Sequence, residues 1–156
     1  MLEAINRPLS EVQTLASTPG VPALMQRYST GGNEYIFLKG VTSGALGSWV
    51  TYDEVGVSTL LAADAFGPVA VLLGAASATT MGVWACIFGS CSALVATGFA
   101  DNGNIYATAT AGTADDAAVA GDLVHGAIGR SAISSGKATV QLWYPFVDNN
   151  VDDAVV

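Results

Sequence analysis

The chain has 156 residues, the size of one domain with a single sizeable core. It is 51% hydrophobic and only 12% charged, with 13 acidic residues against 5 Lys and Arg and a formal net charge of −8. Nucleic-acid binding needs Lys and Arg to neutralise phosphates, and residues 40–129 carry seven acids and neither base. Nucleic acid and an anionic membrane surface are therefore excluded as expected partners.

Residues 1–34 hold scattered Pro8, Pro19 and Pro22, a neutral turn at Ser29-Thr-Gly-Gly-Asn33 and only weak periodicity. They are read as an extended N-terminal arm, with a short helical turn near Leu9–Leu15. Met1–Arg7 leads into Pro8-Leu-Ser-Glu instead of an apolar run, so no secretory signal is expected.

From Tyr35 the pattern becomes rhythmic. Strand candidates are Tyr35–Lys39, Trp49–Tyr52, Val69–Leu73, Val83–Phe88, Ala93–Ala96, Ile105–Thr108, Leu123–Ala127 and Thr139–Tyr144. Turn signals separate them at Gly44–Gly47, Gly67-Pro68, Gly89-Ser90, Asn102-Gly103, Gly112-Thr113 and Ser134–Gly136. Asp101-Asn-Gly-Asn104 is the sharpest, because Asn-Gly accepts the positive φ angles of a type I′ hairpin. Asp115–Val119 and Thr59–Ala65 are read as single helical turns. Short strands at this spacing predict one all-β domain over residues 35–156, a β-sandwich, jelly roll or β-barrel.

Ala65–Ala100 contains no Asp, Glu, Lys or Arg. It is not read as a membrane helix, since Gly67-Pro68, Gly74, Ser77–Thr80, Gly82, Gly89-Ser90 and Gly98 interrupt every window of the roughly 20 apolar residues that a span requires. It reads as the inner strands of the β domain. The spacing of Cys86 and Cys91 leaves two states open. A tight reversal at Ile87–Ser90 places them face to face across a hairpin; otherwise they are small, buried, free thiols, the more frequent state of such residues.

The chemistry on offer is sparse. A serine or cysteine hydrolase needs a base beside its nucleophile, and the only histidine is His125, on a strand candidate. One His and two Cys do not complete a structural zinc site. Asp101–Asn104 and Asp115-Asp116 supply hard oxygens but lack EF-hand spacing, and neighbouring aspartates on an extended loop point apart. The glycines match neither phosphate-binding fingerprint. No catalytic residue, metal or cofactor is expected. Aromatic residues near the ends of the domain, Tyr28, Trp143, Tyr144 and Phe146, are the candidate interaction residues, because aromatic rings are enriched in interface cores. The alternative is that the same rings close the domain's own core; adjacent residues on a regular strand face opposite sides, so only one of Trp143 and Tyr144 can point inward.

Taken in order, Gly32–Gly40 (GNEYIFLKG), Gly47–Asp53 (GSWVTYD), Gly67–Val71 (GPVAV), Asp115–Gly126 (DDAAVAGDLVHG) and Tyr144–Asp148 (YPFVD) resemble the small head decoration, or cement, proteins of tailed bacteriophages. The resemblance covers Gly32–Val156. It implies a non-enzymatic virion protein on the outer surface of the capsid, which binds the phage major capsid protein, ties its subunits together and uses no cofactor. It also implies self-association, a homotrimer ahead of a homodimer. The residues alone leave other classes open: a carbohydrate-binding β-sandwich, a small esterase or protease built on His125, and a self-assembling shell or tail-tube subunit.

Overall fold

The computed structural model describes residues 8–15 and 20–150; residues 1–7 and 16–19 of the expected arm, and 151–156 at the end of the β domain, lie outside the described residues. The described chain is all-β and without helix, and forms one antiparallel sheet of eleven strands. These are β1 (Gln13–Thr14), β2 (Arg27–Thr30), β3 (Asn33–Lys39), β4 (Trp49–Tyr52), β5 (Ser58–Leu60), β6 (Gly67–Leu72), β7 (Met81–Leu94), β8 (Asn104–Ala107), β9 (Ala114–Asp115), β10 (Leu123–Gly129) and β11 (Lys137–Val147). The main path runs β2-β3-β7-β6-β11-β10-β8-β9, with β4 joining β5 to β6 and β1 attached to β7.

The uncharged stretch supplies the centre of this sheet, as its composition predicts. Along β3, β6 and β7, alternate residues serve two cores on opposite faces. Tyr35, Phe37, Val69, Val71, Trp84 and Cys86 enter the main core, while Ile36, Leu38, Ala70, Leu72, Val83 and Ala85 enter the second. In β6 and the first half of β7, burial on both faces leaves no solvent side to carry charge, which is why the sequence there shows continuous apolar runs instead of alternation. Trp84 meets Phe37 edge-on at 5.3 Å. The fully buried Trp49 donates its indole N–H to Leu94 O at 3.0 Å, satisfying its one polar atom.

Several local expectations give way. Val83–Phe88 and Ala93–Ala96 are not two strands: Gly89-Ser90 lies inside the single strand β7. There the strand bulges, because Glu34 pairs with Phe88 but the next residue, Tyr35, pairs with Cys86. Gly89 takes φ +91°, and Asn33 clamps the distortion, accepting from Ser90 N at 2.9 Å and donating to Ser90 O at 3.2 Å. The first half of β7 pairs with β3 and β6, and the second half with β11. The helical turns expected at Leu9–Leu15, Thr59–Ala65 and Asp115–Val119 are absent; strand pairing claims Gln13–Thr14, Ser58–Leu60 and Ala114–Asp115 instead. Asn102 is left-handed at φ 58° but Gly103 is not, so this turn is not the type I′ hairpin expected. Two-residue turns with both φ positive lie elsewhere: Gly31-Gly32, which joins β2 to β3, and Ser135-Gly136, closed by the pairing of Ser134 with Lys137.

Between residues 8 and 34 the described chain lies along the domain. Leu9, Leu15, Val21, Leu24 and Tyr28 pack against the main core, and Val12 and Met25 against the second.

Candidate functional site

Three of the four candidate aromatics gather at one place, and an irregularity in β11 puts them there. Opposite β10, His125 pairs with Phe146 but Ala127 pairs with Leu142, so β11 spends two more residues than its partner between these pairs. Tyr144 absorbs the excess at φ 47°, a left-handed conformation that a bulky side chain rarely adopts and that costs about 1–3 kcal/mol. Gly126, φ +72°, makes room on the facing strand: a Cβ there would stand 2.6 Å from Trp143 O. The result is that neither Trp143 nor Tyr144 turns inward. The bulge breaks the alternation, and both are exposed, at 40% and 50%, with Phe146 at 45% beyond the buried Pro145.

Neighbouring strands fix this ledge on both flanks. On one side Phe88 of β7 lies 5.3 Å from the Tyr144 ring, and the Tyr144 hydroxyl donates to Glu34 Oε2 at 2.6 Å. The other carboxylate oxygen of Glu34 accepts from Arg27 at 3.1 Å, and the Arg27 guanidinium sits 5.9 Å from the centre of the Tyr144 ring. The hydrogen bond to Glu34 raises the Tyr144 pKa above its ordinary value, since the carboxylate stabilises the protonated phenol. On the other side His125 stacks on Phe146 at 4.7 Å with Nε2 3.4 Å from Asp148 Oδ1. Tyr28 stands apart from the ledge, half-buried, with its ring 6.1 Å from Trp84.

Phe66 escaped the sequence reading. It is 78% exposed and immediately precedes Gly67, which pairs with Val147 at the end of β11. The signal was available, because an aromatic residue placed directly before the Gly67-Pro68 turn has no strand face to hide it. Phe88, Arg27 and Glu34 were also missed, and no local pattern shows that they converge on Tyr144.

The catalytic and metal candidates find other uses. The depression beside His125 is lined by Asn104, Leu123, Gly126 and Trp143 among others, with no Ser, Thr or Cys along it. Asp116 accepts from Ala100 N and Asp115 accepts from Asp116 N, both at 2.9 Å, so each carboxylate shapes a loop. Among the described residues no group of His, Cys, Asp and Glu is placed to hold a metal, and no helix is long and apolar enough to cross a membrane. Cys86 and Cys91 are free thiols, and a single strand replaces the hairpin reading of their spacing. The β7 bulge shifts the alternation so that both lie at the main core. There a hydrogen bond with Cys86, followed by burial, pushes the Cys91 thiol well above its usual pKa.

No protein-family model matches the chain, and no curated protein matches it. Its fold is similar to that of a chain in the solved structure "The capsid of Myoviridae Phage XM1", with a TM-score of 0.54 and 15% sequence identity. The similarity covers 81% of this chain and 92% of that one. The fold is thus one that occurs in a phage capsid.

Proposed function

We propose that the protein is a virion structural protein of a tailed phage, a decoration or cement protein that binds the outer surface of the head and ties neighbouring major capsid subunits together. The observation that carries this reading is the ledge of Trp143, Tyr144 and Phe146, all exposed, with Tyr144 on strained backbone, in a protein whose other large rings are mostly buried. Strain at a non-glycine residue persists only when its surroundings enforce it, and here two strands and a carboxylate do so. Aromatic anchors of this kind carry about 2 kcal/mol or more each when they enter an apolar pocket on a partner. The likeness of fold to a phage capsid chain supports the setting, and the shortage of basic residues supports a protein partner over a nucleic acid.

The mechanism is mechanical. A rigid β body bridges a seam between shell subunits, and symmetry repeats the contact, so modest affinities add up to high avidity. Self-association on a symmetry axis, as a homotrimer ahead of a homodimer, multiplies the ledges that face the shell. Light scattering coupled to size-exclusion chromatography, with and without emptied expanded heads, tests the proposal. A discrete oligomer that co-elutes with heads is the expected result; a monomer that ignores them overturns it. The exposed Trp143 beside an open depression favours carbohydrate binding as the second reading, for which a glycan array gives a signal that Trp143→Ala abolishes.

A further inference from the structure

β1 fills a slot in its own sheet. On the edge of β7 that faces it, β6 pairs Val71 and Leu72 with Cys86 and Ala85, and Leu73 N donates to Trp84 O at 3.0 Å before the chain turns away at Gly74. β1 takes the edge that follows, with Gln13 opposite Gly82, Thr14 opposite Met81 and Leu15 N donating to Thr80 O at 2.9 Å. Two glycines line the slot: a Cβ at Gly74 would stand 2.5 Å from Ser10 O, and one at Gly82, which also gives way to the Phe37 ring at 2.5 Å, 2.7 Å from Leu15 Cδ2.

The occupant is held with a defect. Gln13 is 2% exposed, and neither its Oε1 nor its Nε2 has a hydrogen-bond partner. A buried amide left unpaired weakens docking by about five- to 100-fold relative to an apolar side chain of the same shape. Among the described residues β1 is held by a two-residue ladder, the Leu15–Thr80 hydrogen bond and the packing of Leu9, Val12 and Leu15. Any second copy of the chain carries the same strand, with the same complementarity to the slot.

We infer that β1 is an exchangeable strand: the β7 edge at Thr80–Gly82 accepts β1 from a second copy of this chain, linking subunits by strand exchange, with Gln13 keeping the docked state easy to open. The inference does not rest on the capsid reading, since the protein alone suffices for it.

Thr14 and Met81 face each other directly, and the neighbouring Leu15–Thr80 hydrogen bond marks theirs as a non-hydrogen-bonded pair, the closer spacing that suits a disulfide. In a Cys86→Ala, Cys91→Ser background, Thr14→Cys and Met81→Cys are placed in separate chains, mixed natively or after joint unfolding and refolding, and oxidised with oxidised glutathione. Neither chain can close this bond alone. A peptide joining residues 14 and 81, identified by mass spectrometry, is the expected result, and Gln13→Met slows its appearance in the native mixture at least fivefold. The double variant in one chain is the control. If it closes its internal disulfide while the mixed chains never link, exchange is refuted; if it fails to close, β1 does not occupy the slot and the inference falls as well.

Discussion

Asp122 shows how much a single buried polar side chain can organise. It is 4% exposed, follows Gly121 at φ +83°, and accepts from Asp64 N at 2.7 Å, tying the loop after β5 to the start of β10. Asp122→Ala strands the Asp64 N–H, and we expect a loss of about 1–3 kcal/mol, measured by urea denaturation. At the ledge, Tyr144 carries a pH signature. A phenol has an ordinary pKa near 10. The hydrogen bond to Glu34 raises the folded value, so that contribution is fully present below about pH 10 and is lost as pH rises through the raised folded pKa. A spectrophotometric titration, with Tyr144→Phe subtracted to isolate this ring, should show late ionisation that Glu34→Gln returns toward the ordinary value. Unchanged titration in Glu34→Gln contradicts the pairing.

The bulges of β7 and β11 are the elements that matter most, and they divide what was legible from what was not. Composition and turn spacing suffice to place β3, β4, β6 and β10 within a few residues, because short apolar runs between Gly and Pro leave few alternatives. The same logic misplaces Gly89-Ser90. A glycine signals positive φ, but whether the chain then reverses or merely bends depends on partners, here β3 and β11, that are far away in sequence. The ledge illustrates this at the site itself. Trp143, Tyr144 and Phe146 stand out as aromatics, yet their joint exposure follows from Gly126 on another strand and from Glu34 more than a hundred residues away. Likewise β2 is hidden in a stretch with little periodicity, and becomes a strand through the Gly31-Gly32 hairpin. Gly89→Ala tests the importance of the β7 bulge: its Cβ would fall on the Asn33 side chain at φ +91°, and we expect a loss of about 2 kcal/mol or more in thermal or denaturant unfolding. Gly126→Ala should act more locally, pushing on Trp143 O and shifting the tryptophan emission spectrum.

For the whole molecule, the division of apolar residues between interior and surface gives the account its form. Two cores occupy opposite faces of one sheet, the basic residues are few, and the exposed rings collect on β11 and beside it. Such a body is suited to standing between other proteins. The proposed role makes the ledge expendable for folding and essential for attachment. Surface substitutions away from special contacts change stability by about 0.5 kcal/mol or less, whereas Trp84→Ala in the core should cost about 3–5 kcal/mol. Tyr144, freed from a left-handed conformation, gives back some strain when replaced by Gly. The most direct measurement is therefore sedimentation of emptied expanded heads with wild-type protein and with the Trp143→Ala, Tyr144→Gly, Phe146→Ala triple variant, whose unfolding midpoint is recorded alongside. Wild-type protein is expected to pellet with heads at saturable stoichiometry while the triple variant, equally folded, stays in the supernatant. Equal binding by a folded triple variant, or a wild-type protein that never pellets with heads, contradicts the proposed role.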